Sequence, residues 1–253
     1  MVAAALPGLR RVEHVMGMPI VIDLRDEGAG DDMLDAAFDA FRAVDARFST
    51  YRDDSEIMRI NRGGLALADA HADMREIVGR CEELRSETRG YFDMRATPDG
   101  AIDPSGLVKG WSVDRVAALL DDAGMRDYAV SAGGDVIVRG RALPDDCWHV
   151  GIQHPTIGDK LAKVVAASDL AIATSGAYAR GDHVLDPHTG RPPEGVLSVT
   201  ITGPELATAD AYATAAFAMG ASGPAWTARL RGYEAMTILA DGRVLSTPGF
   251  PAA

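Results

Sequence analysis

Residues 103–114 of this 253-residue chain read DPSGLVKGWSVD, a stretch that bears on both the fold and a candidate binding site. Within this stretch, DPSGLVKG has the composition of a loop, and the residues from Trp111 to about Gly124 have that of a helix. A glycine-rich turn that leads into a helix presents backbone N–H groups and a positive dipole end to an anion. Lys109 adds a positive charge. An ordinary helix start with an incidental lysine fits equally well, so both interpretations stay open.

The residues before this stretch predict one strand followed by helices. We expect the strand over residues 12–24, with Gly17 and Pro19 interrupting it. A helix beginning at Asp31 is predicted by apolar residues at helical spacing, namely Leu34, Ala37, Phe38, Phe41, Val44 and Phe48. A short helix should follow Asp54. Another should span about 71–88, with Gly90 at its C′ position and an inward stripe of Met74, Ile77, Val78, Cys81 and Leu84.

The residues after this stretch are rich in strand patterns. Short β-rich segments are YAVSAGGDVIVRG, CWHVGI, LAKVVA, DLAIAT, VLSVTIT and AMTILADGRVLST. A helix at about 207–220 and a second one from Ser222 are also predicted, and Asp241-Gly242 is typical of a hairpin turn. Strands and helices do not alternate strictly, so we expect an α+β fold and a single domain over residues 1–253.

The overall charge excludes some classes of partner. The formal net charge is −12, so no basic stripe is expected that would displace counterions from nucleic acid.

No apolar run approaches the roughly 18–20 residues of a membrane span, and residues 1–17 lack a convincing signal peptide, which favours a cytoplasmic location. Of the two cysteines, Cys81 is expected to be a buried, inert thiol.

Two pairs of polar residues could carry chemistry. Asp210 and Thr214 stand at i and i+4 and share one face of the predicted helix, where their oxygens would suit Mg²⁺. On spacing alone, a role of Asp210 as the cap of that helix is favoured over the metal site, since aspartate often caps helices. Thr174 and Ser175 follow an apolar run and could contact a phosphate or simply form a turn.

Two histidines lie in GDHVLDPHTGRPP (residues 181–193). His183 could act as a general base, since the pKa of histidine lies near working pH, although a lone histidine is more often structural. His188, within the turn itself, is expected to be solvated.

Taken in order, these segments resemble the FAD:protein FMN transferase family, the ApbE-like proteins formerly described as thiamine-biosynthesis lipoproteins. The resemblance runs along nearly the whole chain. It is carried by Met16-Gly17, FSTYRDDSEIMRIN, GYFD, DPSGLVKGWSVD, AGGD, ATSG, HVLDPHTG and ADAYATA. Met18 replaces the usual threonine, and Ala177 replaces an acidic residue common after TSG.

The resemblance implies a fold and an activity. The fold would be a single compact, T-fold-related domain of mixed or antiparallel sheets with flanking helices. The activity would be Mg²⁺-dependent transfer of FMN from FAD to a threonine hydroxyl of an acceptor protein, with release of AMP. Hydrolysis of FAD to FMN and AMP, or flavin binding without turnover, would use the same site, so these alternatives stay open.

The resemblance also implies residue roles, with His183 as the catalytic base. The residues implied to contact FAD are Met16, Tyr51, Tyr91, Phe92, Asp93, Asp103, Lys109, Thr174 and Ser175. The implied magnesium ligands are the backbone carbonyl of Gly106 and the side chains of Asp210 and Thr214.

Overall fold

An antiparallel sheet of eight strands forms the centre of the computed structural model, which describes residues 8–176 and 184–252. The strands are β1 (Leu9–Val15), β2 (Met18–Leu24), β3 (Tyr128–Ala132), β4 (Asp135–Arg139), β5 (Trp148–Gln153), β6 (Leu161–Ala167), β7 (Leu170–Gly176), β8 (Val196–Gly203), β9 (Glu234–Leu239) and β10 (Val244–Ser246). The main sheet has the order β1-β2-β3-β4-β7-β8-β9-β10, while β5 and β6 form a separate hairpin. Every described pairing of strands is antiparallel.

Helices cover one face of this sheet. The described α-helices are α1 (Asp31–Phe48), α2 (Glu56–Asn61), α3 (Ala72–Glu87), α4 (Ser105–Asp122), α5 (Leu206–Ala218) and α6 (Gly223–Thr227). Side chains of α1, α4 and α5 form one apolar core with β2 and β3, whereas α3 packs in a second core against α4 and α5. On the opposite face the β5–β6 hairpin packs against β4, β7 and β9. The fold is therefore α+β, as the sequence predicts.

The strand predicted over residues 12–24 is in fact a hairpin, so that prediction is wrong in detail. Strands β1 and β2 pair in register from Leu9 opposite Leu24 to Val15 opposite Met18. The two residues between them, Met16 and Gly17, have φ of 56° and 71°. A two-residue turn with both φ values positive matches the right-handed twist of the strands and is the favoured hairpin connection.

The segment DPSGLVKG is not a loop, because α4 already begins at Ser105. The Asp103 carboxylate accepts a hydrogen bond from the Ser105 N–H at 3.0 Å and so helps to start the helix. Gly110 lies inside the helix for a packing reason. A Cβ atom at this position would lie 2.5 Å from the Leu206 carbonyl oxygen and 2.8 Å from the Ala207 Cα, so only glycine lets α4 and α5 approach this closely.

The helical stripes predicted in α1 and α3 are confirmed, with the same residues buried. The end of α3 differs by one residue from the prediction. Arg89 takes the left-handed C′ position with φ of 57° and donates its N–H to the Ser86 carbonyl, and the Gly90 N–H reaches the Arg85 carbonyl at 2.7 Å. This pair of bonds is a Schellman motif. The Asp241-Gly242 hairpin is confirmed between β9 and β10.

Among the helices of the described residues, none combines the length and the apolar character that crossing a membrane requires.

Candidate functional site

A cleft of about 310 Å³ opens where α4, α5, the ends of β3 and β7 and the loops around residues 48–51 and 91–97 meet. Apart from His183, which lies outside the described residues, every residue that the sequence analysis assigned to the site lines this cleft. These residues are Met16, Tyr51, Tyr91, Phe92, Asp93, Asp103, Gly106, Lys109, Thr174, Ser175, Asp210 and Thr214. Segments far apart in sequence thus meet in one cavity.

Three charged side chains meet on the wall of the cleft. The Lys109 ammonium lies 2.5 Å from Asp135 Oδ2 and 3.3 Å from Asp210 Oδ1. Both carboxylates are almost completely buried, with side-chain exposures of 2% for Asp135 and 4% for Asp210. Two carboxylates thus share one ammonium, and with both carboxylates ionised the cluster would carry one net negative charge.

Burial and ion pairing act in opposite directions on these groups. Burial tends to lower the pKa of Lys109, but the two carboxylates outweigh it and hold the pKa above its ordinary value. Burial raises the pKa of Asp210 above the usual range of an aspartate, and Lys109 opposes that rise. Lys109 is therefore a fixed cation whose partners lie within the protein.

Backbone N–H groups hold both carboxylates in place. The Thr174 N–H donates to Asp135 Oδ1 at 2.9 Å, which ties the start of β4 to β7. The Gly110 N–H of α4 donates to Asp210 Oδ2 at 3.3 Å. Because α4 and α5 pack closely at Gly110, Asp210 is presented directly to Lys109 from the neighbouring helix.

Asp210 does not cap α5, so that alternative is wrong. The helix begins at Leu206, and its first N–H groups, on Leu206 and Ala207, donate to the Asp114 carboxylate at 2.9 and 2.7 Å. Asp114 belongs to α4, so one helix caps the other. Burial raises the pKa of Asp114, although these two hydrogen bonds oppose the shift. Asp210 is thereby left free of any capping role.

Thr214 lies one turn after Asp210 on the face of α5 that meets the cleft. Its hydroxyl oxygen is 3.4 Å from the Ser175 hydroxyl on β7. Gly106, on the first turn of α4, faces the same space, since a Cβ atom there would meet the Thr214 methyl group at 3.8 Å and the Phe92 ring at 3.2 Å. The oxygens of this set and the net negative charge beside them suit a hard divalent cation such as Mg²⁺.

The mouth of the cleft carries aromatic side chains. Tyr51 is 93% exposed and is one of the residues that line the cleft. The ring of Tyr91 meets the ring of His188 edge to face at 4.6 Å. His188 is thus exposed as expected but is also packed, and it connects the GYFD segment (residues 90–93) to the turn at residues 186–191.

Two acidic residues of the cleft are already engaged by neighbouring groups. Asp93 forms an ion pair with Arg85 at 2.9 Å and accepts the Arg95 N–H at 2.9 Å. Asp103 accepts the Ser105 N–H at the start of α4. Both side chains shape the cleft wall through these bonds.

Asp135 was not among the residues predicted for the site, although it belongs to the AGGD motif. The structure shows Gly133 and Gly134 of this motif as the turn between β3 and β4. The aspartate that follows them is buried beside Lys109. Its place in an ordered motif was the available signal, because nothing local shows that β4 and α4 meet.

Comparisons with known proteins show the family of this chain. The sequence model of the ApbE family matches residues 16–98 and 94–237. The FAD:protein FMN transferase of Vibrio cholerae is 35% identical over 162 residues, which cover 60% of this chain and 48% of that protein. The FAD:protein FMN transferase of Escherichia coli K12 is 35% identical over 174 residues, covering 64% and 49%. The chain thus spans about half the length of these curated relatives.

Solved structures show the same fold. The flavin transferase ApbE from Vibrio cholerae superposes with a TM-score of 0.83 at 23% identity, covering 96% of this chain and 99% of that one. The ApbE protein from Thermotoga maritima gives a TM-score of 0.85 at 22% identity, covering 96% and 98%. With the family model matching most of its length and its fold shared with these structures, the chain belongs to the ApbE family.

Proposed function

We propose that this chain transfers FMN from FAD to a threonine hydroxyl of an acceptor protein and releases AMP, with Mg²⁺ as the required cation. The observation that carries this proposal is the convergence of the flavin and metal residues chosen from sequence in one cleft. The names of the curated relatives, FAD:protein FMN transferase, support the same reaction.

The proposed Mg²⁺ ligands are Asp210, Thr214 and the carbonyl of Gly106. A bound Mg²⁺ would neutralise the pyrophosphate of FAD and stabilise the charge that develops on departing AMP. The buried position of Asp210 and the second carboxylate beside it, Asp135, favour a cation over a water molecule there.

The side chains of the cleft would bind and orient FAD. The rings of Tyr51 and Phe92 and the side chain of Met16 offer apolar surface to the flat ring systems of the dinucleotide. Ser175, at the end of β7, would offer a hydroxyl to phosphate oxygens, whereas the hydroxyl of Thr174, which also lines the cleft, is paired with the Thr200 hydroxyl at 2.9 Å. Holding the pyrophosphate in one orientation beside the incoming hydroxyl lowers the entropic cost of bringing the two reacting groups together.

The proposed chemical step is a displacement at phosphorus. The threonine oxygen forms a bond to the FMN phosphorus while the bond from that phosphorus to the bridging oxygen of AMP breaks. His183 would accept the threonine proton as general base. The products are a phosphodiester-linked flavoprotein and AMP, so atoms and charge balance without a redox partner.

One experiment separates transfer from its alternatives. The protein is incubated with FAD, Mg²⁺ and an acceptor that carries the threonine motif of the family, and flavin fluorescence is examined on a denaturing gel. A fluorescent acceptor band supports transfer. Free FMN and AMP without a labelled acceptor would support hydrolysis, and unchanged FAD would support binding alone.

Asp210→Asn keeps the shape of the side chain but removes its charge, so we expect the Mg²⁺-dependent transfer to be lost. In EDTA, the affinity of the native protein for FAD, measured by flavin fluorescence, should fall by more than about tenfold. A tenfold loss corresponds to about 1.4 kcal/mol of binding free energy. In Asp210→Asn the addition of Mg²⁺ should no longer restore binding. Asp122→Asn, on the exposed end of α4, is the matched control. Full activity in Asp210→Asn would contradict the metal assignment.

His183→Ala should leave FAD affinity unchanged while transfer slows by about 10²–10⁴-fold, the usual contribution of a general base. Single-turnover rates and fluorescence titrations measure the two effects separately. Transfer at the native rate would show that another group accepts the proton.

A further inference from the structure

A group of three potential metal ligands lies on the strand β5 and the residues just before it. One ligand atom each from Asp146, Cys147 and His149 lies within 4.8 Å of the other two. We propose that these three residues bind a thiophilic divalent cation of the zinc class. This site goes beyond the flavin chemistry proposed above.

Strand geometry brings two of the three side chains, Cys147 and His149, to one side, and the Asp146 carboxylate lies close to them. Trp148, between Cys147 and His149, points inward and is 8% exposed. Since side chains alternate along an extended chain, Cys147 and His149 project to the opposite face. The His149 Nδ1 atom is 3.9 Å from Asp146 Oδ1, and both side chains are about half exposed, at 52% and 53%. Access for a metal ion from solvent is therefore open.

The backbone that carries these ligands is held on both sides. Trp148 packs in the apolar core between the β5–β6 hairpin and the main sheet, and its indole N–H donates to the Arg139 carbonyl at 2.9 Å. Before the strand, Leu143 and Asp146 exchange backbone hydrogen bonds of 3.3 and 3.1 Å. Within it, His149 pairs with Ala166 of β6. The backbone on which the three ligands stand is therefore fixed by its neighbours.

The donor set favours zinc over magnesium. A thiolate, an imidazole and a carboxylate are the ligands that Zn²⁺ accepts at roughly 2.0–2.3 Å, and three protein ligands leave a fourth position for water. Thiolate selects soft or borderline metals, whereas Mg²⁺ prefers oxygen only. Within the described residues, no part of β5 or β6 lines the flavin cleft, so the two metals would occupy separate places.

Co²⁺ tests this proposal, because a cobalt–thiolate bond gives a charge-transfer absorption in the near ultraviolet. Chelator-treated protein without a histidine tag is titrated with Co²⁺ under reducing conditions. We expect the band to saturate at one equivalent per chain, to disappear on addition of Zn²⁺ and to persist in excess Mg²⁺. Cys81 is 1% exposed, so it cannot supply the thiolate without unfolding.

Variants assign the ligands. Cys147→Ser should abolish the band, and His149→Ala should weaken Co²⁺ binding by more than about tenfold, since even partners outside the ligand shell contribute that much. His14→Ala, an exposed histidine on β1, is the matched control and should bind like the native protein. A missing band, a band retained in Cys147→Ser, or equal affinities for His149→Ala and His14→Ala would overturn the proposal. FMN transfer should be unchanged in Cys147→Ser, so the two proposals can fail separately.

Discussion

Gly110 and Gly79 both lie inside helices, but substitution by alanine should have opposite effects. At Gly79, on the exposed side of α3, a Cβ atom would meet nothing within 4 Å. At Gly110 the same atom would lie 2.5 Å from the carbonyl oxygen of Leu206 and 2.7 Å from its carbon. Those atoms belong to the backbone at the start of α5, so no side-chain rotation relieves the contact.

Both substitutions increase helix propensity, but only Gly110→Ala also introduces a steric clash. Alanine is a better helix former than glycine by about 1 kcal/mol, so Gly79→Ala should stabilise the protein by about that amount. Gly110→Ala has the same gain, but inserting a methyl group into a packed interface costs about 1–3 kcal/mol, and a backbone clash belongs at the upper end. We expect a net loss of about 1–2 kcal/mol, and a difference between the variants of about 2–3 kcal/mol.

Differential scanning calorimetry and urea unfolding measure this difference. For a chain of this size, each kcal/mol shifts Tm by roughly 2–4 °C, so the two variants should differ by about 4–12 °C. Gly110→Ala should also weaken FAD binding, because the Gly110 N–H holds Asp210 and any shift of α4 moves Lys109. Equal Tm values for the two variants would refute the argument that Gly110 is required by helix packing.

Two further predictions concern single residues. Cys147 should react with a disulfide reagent in the folded protein, whereas Cys81 should react only after unfolding. Burial raises the pKa of the Cys81 thiol to about 12, which keeps it in the unreactive protonated form. Rapid reaction of both thiols in the folded protein would contradict this prediction. Arg89→Gly should raise the stability by about 0.5–1 kcal/mol in urea unfolding, since it relieves left-handed strain. The control Glu82→Gly, inside α3, should lower the stability because glycine is a poor helix former. A loss of stability in both variants would argue against strain at Arg89.

The parts of the fold that follow from local patterns were predictable from sequence. Helices α1 and α3 each bury one stripe, and the spacing of Phe38 and Phe41, or of Ile77 and Cys81, shows it without knowledge of the partner. The short β-rich segments likewise appear where expected. The residues of the cleft were predictable for a different reason, because ordered motifs marked them before their convergence was visible.

What sequence did not show depends on contacts between distant segments. Glycines at positions 106 and 110 are typical of a loop when considered alone. The reason for Gly110 lies in α5, about 100 residues later, whose backbone lies against it, while the ring of Phe92 lies closest to Gly106. Similarly, Asp210 has the sequence context of a helix cap, and only the structure shows Asp114 of α4 in that role.

The role of Lys109 differs from the one that the sequence alone indicates. In a chain of net charge −12, a lysine near a dinucleotide site is the obvious source of attraction for a pyrophosphate. The structure shows that Lys109 is already paired with Asp135 and Asp210. Its charge is therefore not free to attract an incoming pyrophosphate. Its contribution is to keep two buried carboxylates side by side, which positions Asp210 for a cation. It follows that attraction of FAD would depend on that cation, which is why metal removal is expected to weaken FAD binding as well as to abolish transfer.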